Sequence, residues 1–336
     1  MRPRELVEFL SVTIPAKLPV LIVGPPGVGK TEIGKQVAQA CGADFYVSHP
    51  VVKQPIDFSG LPGFVNGEAE FRPFGDLRLW MNAPRSTVVL LDDLGQALPA
   101  VQAAAMQLLL AGEINGQKIS PNVVFLGATN KKEPGMGVTG ILEPVKSRFY
   151  IAELKPNVED WCVWALANGV PIELVAFIRY RPDLLFDSKP GTAEIVNRPS
   201  PRTVYNMGRL YSQYLLKGLV PSVEALSSAA GQGIAAEFVG FIRIWQSLPN
   251  LDEILRSPST APVPPDSEVS ALYAVATGLA SKANAKNARA IMIYAQRLPA
   301  DFGALMVRDA IRHCPAVAVD QAFVQWAVAH PEVRGG

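Results

Sequence analysis

The chain has 336 residues, enough for about two domains with a large core. Lysine plus arginine (31) nearly equals aspartate plus glutamate (30), so bulk charge favours neither a nucleic-acid nor a membrane partner. Charged residues make up 18% against 49% hydrophobic, a lean surface that favours an oligomer covering part of it.

In chain order, Glu5–Val12 reads as a short amphipathic helix leading into a buried strand over Leu18–Val23. Gly24-Pro25-Pro26-Gly27-Val28-Gly29-Lys30-Thr31 follows, and a helical stretch over Glu32–Ala40 comes next. This is G-x-x-x-x-G-K-[ST] between strand and helix, the context in which the pattern denotes a phosphate-binding loop. Gly24, Gly27 and Gly29 let the backbone turn so that successive N–H groups face phosphate oxygens, and the helix start adds its positive dipole end. Lys30 is expected to reach the β- and γ-phosphates and the Thr31 hydroxyl to ligate Mg²⁺, so the chain is expected to bind a nucleoside triphosphate.

Phe45–Ser48 is a second short strand, and Asn66-Gly67 within Phe64–Phe71 marks a hairpin. Thr87–Leu91 is a continuous apolar run, as a buried parallel strand requires, and it ends in Asp92-Asp93. Ligands sit at such strand ends; Asp92 fits the Mg²⁺-organising role and Asp93 the polarising of the attacking water, the alternative being a pair of helix N-caps. Ala100–Ala111 is a helix, and Asn115-Gly116 marks a second hairpin over Glu113–Ile119. Val123–Ala128 is another buried strand, followed by Asn130, which can hold the lytic water or simply serve a turn. Phe149–Glu153 is a last strand candidate. Strands alternating with helices predict an α/β parallel sheet covered on both faces.

Beyond about residue 155 strand signals vanish and helical segments take over. Candidates are Val158–Asn168, Ile172–Arg179, Arg202–Leu216, Ser222–Ser228, Ala235–Ser247, Ser267–Ala283, Ala285–Gln296, Phe302–Arg312 and Asp320–His330. Lys189–Pro201 reads as an irregular joint, and Ser257–Asp266, with four prolines, as a loop. Cys41, Cys162 and Cys314 form no C-x-x-C pattern, and His49, His313 and His330 form no ligand pair, so no zinc site or disulfide framework is expected. No run has the length of a membrane span, and Met1-Arg2-Pro3-Arg4-Glu5 lacks a signal-peptide core, so a cytoplasmic location is expected.

The order of Gly24–Thr31, Leu90-Leu91-Asp92-Asp93, Ala128-Thr129-Asn130, Ser147-Arg148-Phe149 and Ser200-Pro201-Arg202 resembles the AAA+ ATPases, specifically the MoxR family and a subgroup found in phage and mobile-element contexts. The motifs cover roughly residues 18–215 and the likeness continues more loosely to the end. The resemblance implies an AAA+ αβα core over 1–155, a helical lid over 156–230 and a C-terminal helical extension over 231–336. The extension could complete the lid or form a docking module. It implies that Gly24–Thr31 is Walker A, Asp92 and Asp93 Walker B, Asn130 sensor 1, Arg148 an arginine finger acting on a neighbour's ATP, and Arg202 sensor 2. Arg148 could instead pair with a surface acid, and Arg198 and Arg209 are rivals of Arg202. The two Asn-Gly hairpins fall where the family carries its helix-2 insert and pre-sensor-1 hairpin.

The family usually has glutamate where this chain has Asp93, one methylene shorter, so slow hydrolysis of ATP is expected. The function implied is a hexameric, ATP-driven remodeller or activator of a protein partner, in this family commonly one with a von Willebrand factor A domain. A nucleic-acid motor or loader, a small-molecule kinase and a nucleotide-gated scaffold with very slow turnover are the competing readings. DNA-stimulated or concentration-dependent ATPase activity separates them.

Overall fold

The structure is a computed structural model that describes residues 1–131, 140–189, 195–319, 321, 323 and 326. His330 and most of the expected Asp320–His330 helix lie outside the described residues, as does the middle of the Lys189–Pro201 joint. The chain divides into two compact units, Met1–Asp160 and Trp161–Gly336.

The first unit is built on a parallel sheet of five strands, in the order β2 (Asp44–Ser48), β5 (Thr87–Leu91), β8 (Val123–Thr129), β1 (Val20–Val23), β9 (Tyr150–Glu153). All five residues of β5 are buried, which explains its unbroken apolar run. Period-two alternation then divides the core between the sheet's faces. Val88 and Leu90 join Val20, Ile22 and Leu126 beneath Leu6 and Leu10 of α1 (Pro3–Thr13) and Ile33 and Val37 of α2 (Lys30–Ala40). Val89 and Leu91 face the other way. There they pack with Phe58 of α3 (Pro55–Ser59), Trp80 of α4 (Gly75–Met81) and Val101, Ala105 and Leu108 of α5 (Pro99–Ala111).

Two hairpins stand outside this sheet. β3 (Leu61–Val65) pairs with β4 (Glu68–Arg72), and β6 (Glu113–Ile114) with β7 (Gln117–Lys118). Both turn through Asn-Gly with positive φ at each central residue, 51° and 90° in the first, 49° and 75° in the second. That backbone matches the twist of the flanking strands, and it is why Asn-Gly announced both turns. Three short helices of this unit, α3, α4 and α6 (Glu143–Lys146), were not expected from the sequence. They are too short to show a helical hydrophobic period.

The second unit is helical: α7 (Val158–Ala167, which spans the boundary), α8 (Ile172–Tyr180), α9 (Pro201–Leu216), α10 (Val223–Ala230), α11 (Gln232–Ser247), α12 (Leu251–Arg256), α13 (Val269–Ser281), α14 (Ala288–Ala295) and α15 (Ala300–His313). Helix α13 is apolar nearly all round and correspondingly central, with Leu272, Val275 and Leu279 packed among Ile291, Met292, Met306 and Val307. Within this interior Arg179 of α8 pairs with Asp309 of α15 and donates to the Thr277 hydroxyl at 3.2 Å. No helix among the described residues is long and apolar enough to cross a membrane.

Candidate functional site

Three neighbouring strands, β5, β8 and β1, run parallel and in register, Leu91 opposite Gly127 and Val23 opposite Thr129. Their C-terminal ends therefore deliver Asp92, Asn130 and Gly24 to one edge of the sheet. The loop leaves β1 at Gly24, whose N–H donates to Thr129 O at 3.2 Å. A Cβ at Gly24 would meet Leu154 O at 2.7 Å, so only glycine lets the loop depart there. At its other end Gly29 has φ 103°, a left-handed conformation that glycine adopts without strain, and caps α2.

Lys30 is 7% exposed, so it is buried rather than solvated. Its ammonium donates to Gly24 O at 2.9 Å, Pro25 O at 3.0 Å and the Asn130 side-chain carbonyl at 2.8 Å. Thr31 Oγ1 donates to Asp92 Oδ2 at 2.9 Å, and Asp92 Oδ1 accepts from the Asp93 N–H at 3.1 Å. The Asp92 N–H is itself held by Ser48 O at 2.9 Å. Ser48 is a residue that motif reasoning did not mark. Its hydroxyl donates to Asp76, which Lys53 pairs at 3.0 Å, so β2 braces the carboxylate strand end from behind. The only sequence signal for this brace was the end of the Phe45–Ser48 strand.

Asp93 adopts φ 54° and ψ 33°, left-handed backbone, and opens a 3-10 turn over Leu94–Gln96. Aspartate and asparagine are the non-glycine residues that occupy this region most readily. Pro26, Gly27 and Val28 complete the loop, with Val28 buried in the core beside α2.

Within the first unit, Arg148 is not part of this cluster. Arg148 follows α6 and stands two residues ahead of β9, which enters the sheet with Tyr150 opposite Val20. It is exposed, its N–H donates to Val145 O at 3.1 Å, and its guanidinium has no hydrogen bond or ion pair among the described residues. Arg202 lies in the first turn of α9 in the second unit, exposed and likewise unpaired among the described residues. Its rivals are engaged. Arg198 binds the Asp187 carboxylate at 2.5 and 3.0 Å, and the Arg209 guanidinium lies 6.0 Å from the Tyr205 ring centre.

A glycine loop opening a helix, a buried lysine, and a hydroxyl joined to a strand-end carboxylate form a site for a phosphate chain and a divalent cation. Residues 20–151 match the family of ATPases associated with various cellular activities, AAA. The match runs from β1 into β9 of the first unit. Lon protease of Paraburkholderia phytofirmans is 30% identical over 186 residues, covering 46% of this chain and 20% of that protein. ATPase family gene 2 protein homolog A of Homo sapiens is 33% identical over 146 residues, covering 38% of this chain and 15% of that protein. The chain thus spans one fifth or less of the length of these relatives. Among solved structures, a Thermotoga maritima RuvB mutant aligns with a TM-score of 0.45 and 18% identity over 82% of each chain.

Proposed function

We propose that the chain is a MoxR-type AAA+ ATPase that works as a hexameric ring and remodels or activates a protein partner, one carrying a von Willebrand factor A domain. Its own residues fit Mg²⁺ and ATP. The Thr31 hydroxyl and the Asp92 carboxylate already meet at one point, an all-oxygen donor pair suited to a hard cation. Thr31 would hold Mg²⁺ directly and Asp92 through water; the ion supplies charge neutralisation on the phosphates.

Lys30 exchanges its loop carbonyls for β- and γ-phosphate oxygens, a stronger set of partners because they carry charge. That exchange frees the Asn130 amide to hold water beside the γ-phosphate. Asp93 polarises the water, with a shorter reach than glutamate and hence a slow rate. Arg202, with no competing partner among the described residues, serves as sensor 2.

The place of Arg148 carries the ring assignment. Tyr150 N donates to Pro19 O, so Arg148 stands at or beyond the level of Pro19. Five residues separate that level from Gly24, and at ~3.3 Å per residue the strand climbs roughly 16 Å between them. That is farther than an arginine side chain extends. Arg148 is thus out of reach of its own loop, which supports a role on a neighbour's ATP, where a finger stabilises charge developing in the transition state. Arg148→Ala should bind ATP normally and hydrolyse it poorly. Mixing it with Lys30→Ala subunits should restore part of the turnover, because the lysine variant still supplies Arg148. The reading is wrong if no mixture restores turnover and the rate per subunit does not depend on protein concentration.

A further inference from the structure

Gln102 of α5 is fully buried, and its side-chain amide is saturated within the first unit. Nε2 donates to Ala97 O at 3.1 Å and to Gly140 O at 2.9 Å, while Oε1 accepts from the Leu142 N–H at 3.0 Å. No proposed step of ATP binding or hydrolysis uses this residue. Its partners fall in two places that matter. Ala97 closes the turn that Asp93 opens. Gly140 and Leu142 begin the segment that ends in Arg148: Leu142 caps α6, and the Arg148 N–H closes that helix on Val145 O at 3.1 Å.

We infer that Gln102 is the positioning residue of the arginine finger: it fixes the Gly140–Arg148 segment to the helix that follows the Walker B strand. Among the described residues, the other contacts that hold this segment to the rest of the unit are apolar. Val145 and Phe149, on either side of Arg148, cluster with Leu21 and Leu94, and Ile141 and Leu142 pack against that cluster, as do Met106 and Leu109. Apolar contact is non-directional and permits sliding, whereas three hydrogen bonds from one planar amide set position and orientation together. Both Gly140 and Leu142 are bound by the same amide, so the segment cannot shift without breaking two bonds in a buried place. The Asp93 turn does not depend on Gln102 in this way, because Gln96 N–H bonds Asp93 O at 2.8 Å and Ala97 N–H bonds Leu94 O at 3.2 Å. Gln102 therefore acts on what a subunit gives its neighbour, not on what it does with its own ATP.

The inference rests on the trans-acting role of Arg148, and complementation tests both separately. Arg148→Ala mixed with Lys30→Ala sets the reference; absence of rescue there overturns the finger role and this inference with it. Replacing the donor by Lys30→Ala/Gln102→Met should cut the rescue about tenfold, since a displacement of ~1 Å at a reacting group can cost ~10²-fold in rate. Moving the same substitution to the recipient, as Arg148→Ala/Gln102→Met with Lys30→Ala, should leave the rescue within about twofold of the reference, because the recipient's own finger is already absent and its loop is intact. Gln102→Leu, which also lacks the amide, takes the place of Gln102→Met with the same expected outcomes if that variant fails to fold by circular dichroism. Equal losses in donor and recipient would show a merely structural side chain, and a donor as effective as the reference would show that the apolar contacts suffice. Either result overturns the inference.

Discussion

Gly24 O, Pro25 O and Asn130 together surround the Lys30 ammonium in place of water, which is why a lysine can be buried in a polar loop. Hydrogen bonds to a charged group are worth roughly 1.5–3 kcal/mol each, so Lys30→Ala should weaken ATP binding by tenfold or more while the sheet beneath stays folded. Titration with a fluorescent ATP analogue measures this, and unchanged affinity would contradict the phosphate role. Asp93 carries a second prediction. Asparagine tolerates left-handed backbone as well as aspartate does, so Asp93→Asn removes the charge without new strain. Turnover should nearly vanish with ATP binding intact. Glutamate restores the family's usual reach, so Asp93→Glu should keep or raise turnover. The same backbone makes the longer residue cost about 1 kcal/mol of stability. Thermal melting read beside steady-state rates separates the two effects. The phosphate loop, Asp92, Asp93 and Asn130 were all legible as motif residues. The left-handed backbone at Asp93 and the carbonyl cage of Lys30 were not, since neither leaves a spacing pattern.

Among the elements, the β3–β4 hairpin is the one whose chemistry points away from catalysis. Its register sets Phe64 opposite Ala69 and Pro62 opposite Phe71, so all four share one face. That face is exposed, Phe64 by 82% and Phe71 by 43%, which argues against these rings packing on the core. Glu68 and Glu70 lie on the other face, also exposed. The base is fixed from the second hairpin, where the Asn115 amide donates to Ser59 O at 2.8 Å and the Gln117 amide donates to Phe71 O. Replacing Val65–Glu70 by a short Gly-Ser link should therefore leave basal ATPase near normal and abolish stimulation by the partner. Partner remodelling as efficient as that of the intact chain would refute the docking role; loss of nucleotide binding would show that the hairpin supports the core.

For the molecule as a whole, the second unit offers a stability test that does not depend on catalysis. Burial pushes the Glu173 carboxyl of α8 above its ordinary value, and burial, with a smaller contribution from Glu173, pushes the Tyr211 hydroxyl up to about 12. A raised carboxyl pKa means that the folded state holds the proton more tightly than the unfolded state. The stabilisation is complete below the unfolded value of ~4.3 and is lost as pH rises through the raised folded value. Glu173→Gln should thus unfold at higher urea than the wild type at pH 7, and the gap should close toward pH 4. Four of the five tryptophans, Trp161, Trp164, Trp245 and Trp326, lie in this unit, so fluorescence follows its unfolding. A gap of equal size at both pH values would show that Glu173 is not under strain from burial.

The sequence by itself determined the αβ alternation, both Asn-Gly turns, the helical second half and the nucleotide-loop residues, because each is written in neighbouring residues: apolar runs, turn dipeptides, glycine spacing. It could not show α3, α4, α6 and α12, which are shorter than the period that reveals a helix. Nor could it show distances between residues far apart in the chain. Strand order decided those. The Thr31 bond to Asp92 spans 61 positions and the Lys30 bond to Asn130 spans 100. Both exist because β5, β8 and β1 are neighbours in the sheet with their ends aligned. The same order puts Arg148 at the far end of β9, and places Gly140 and Leu142 within reach of Gln102, some forty positions away. Local chemistry named the groups; the parallel sheet determined which of them meet.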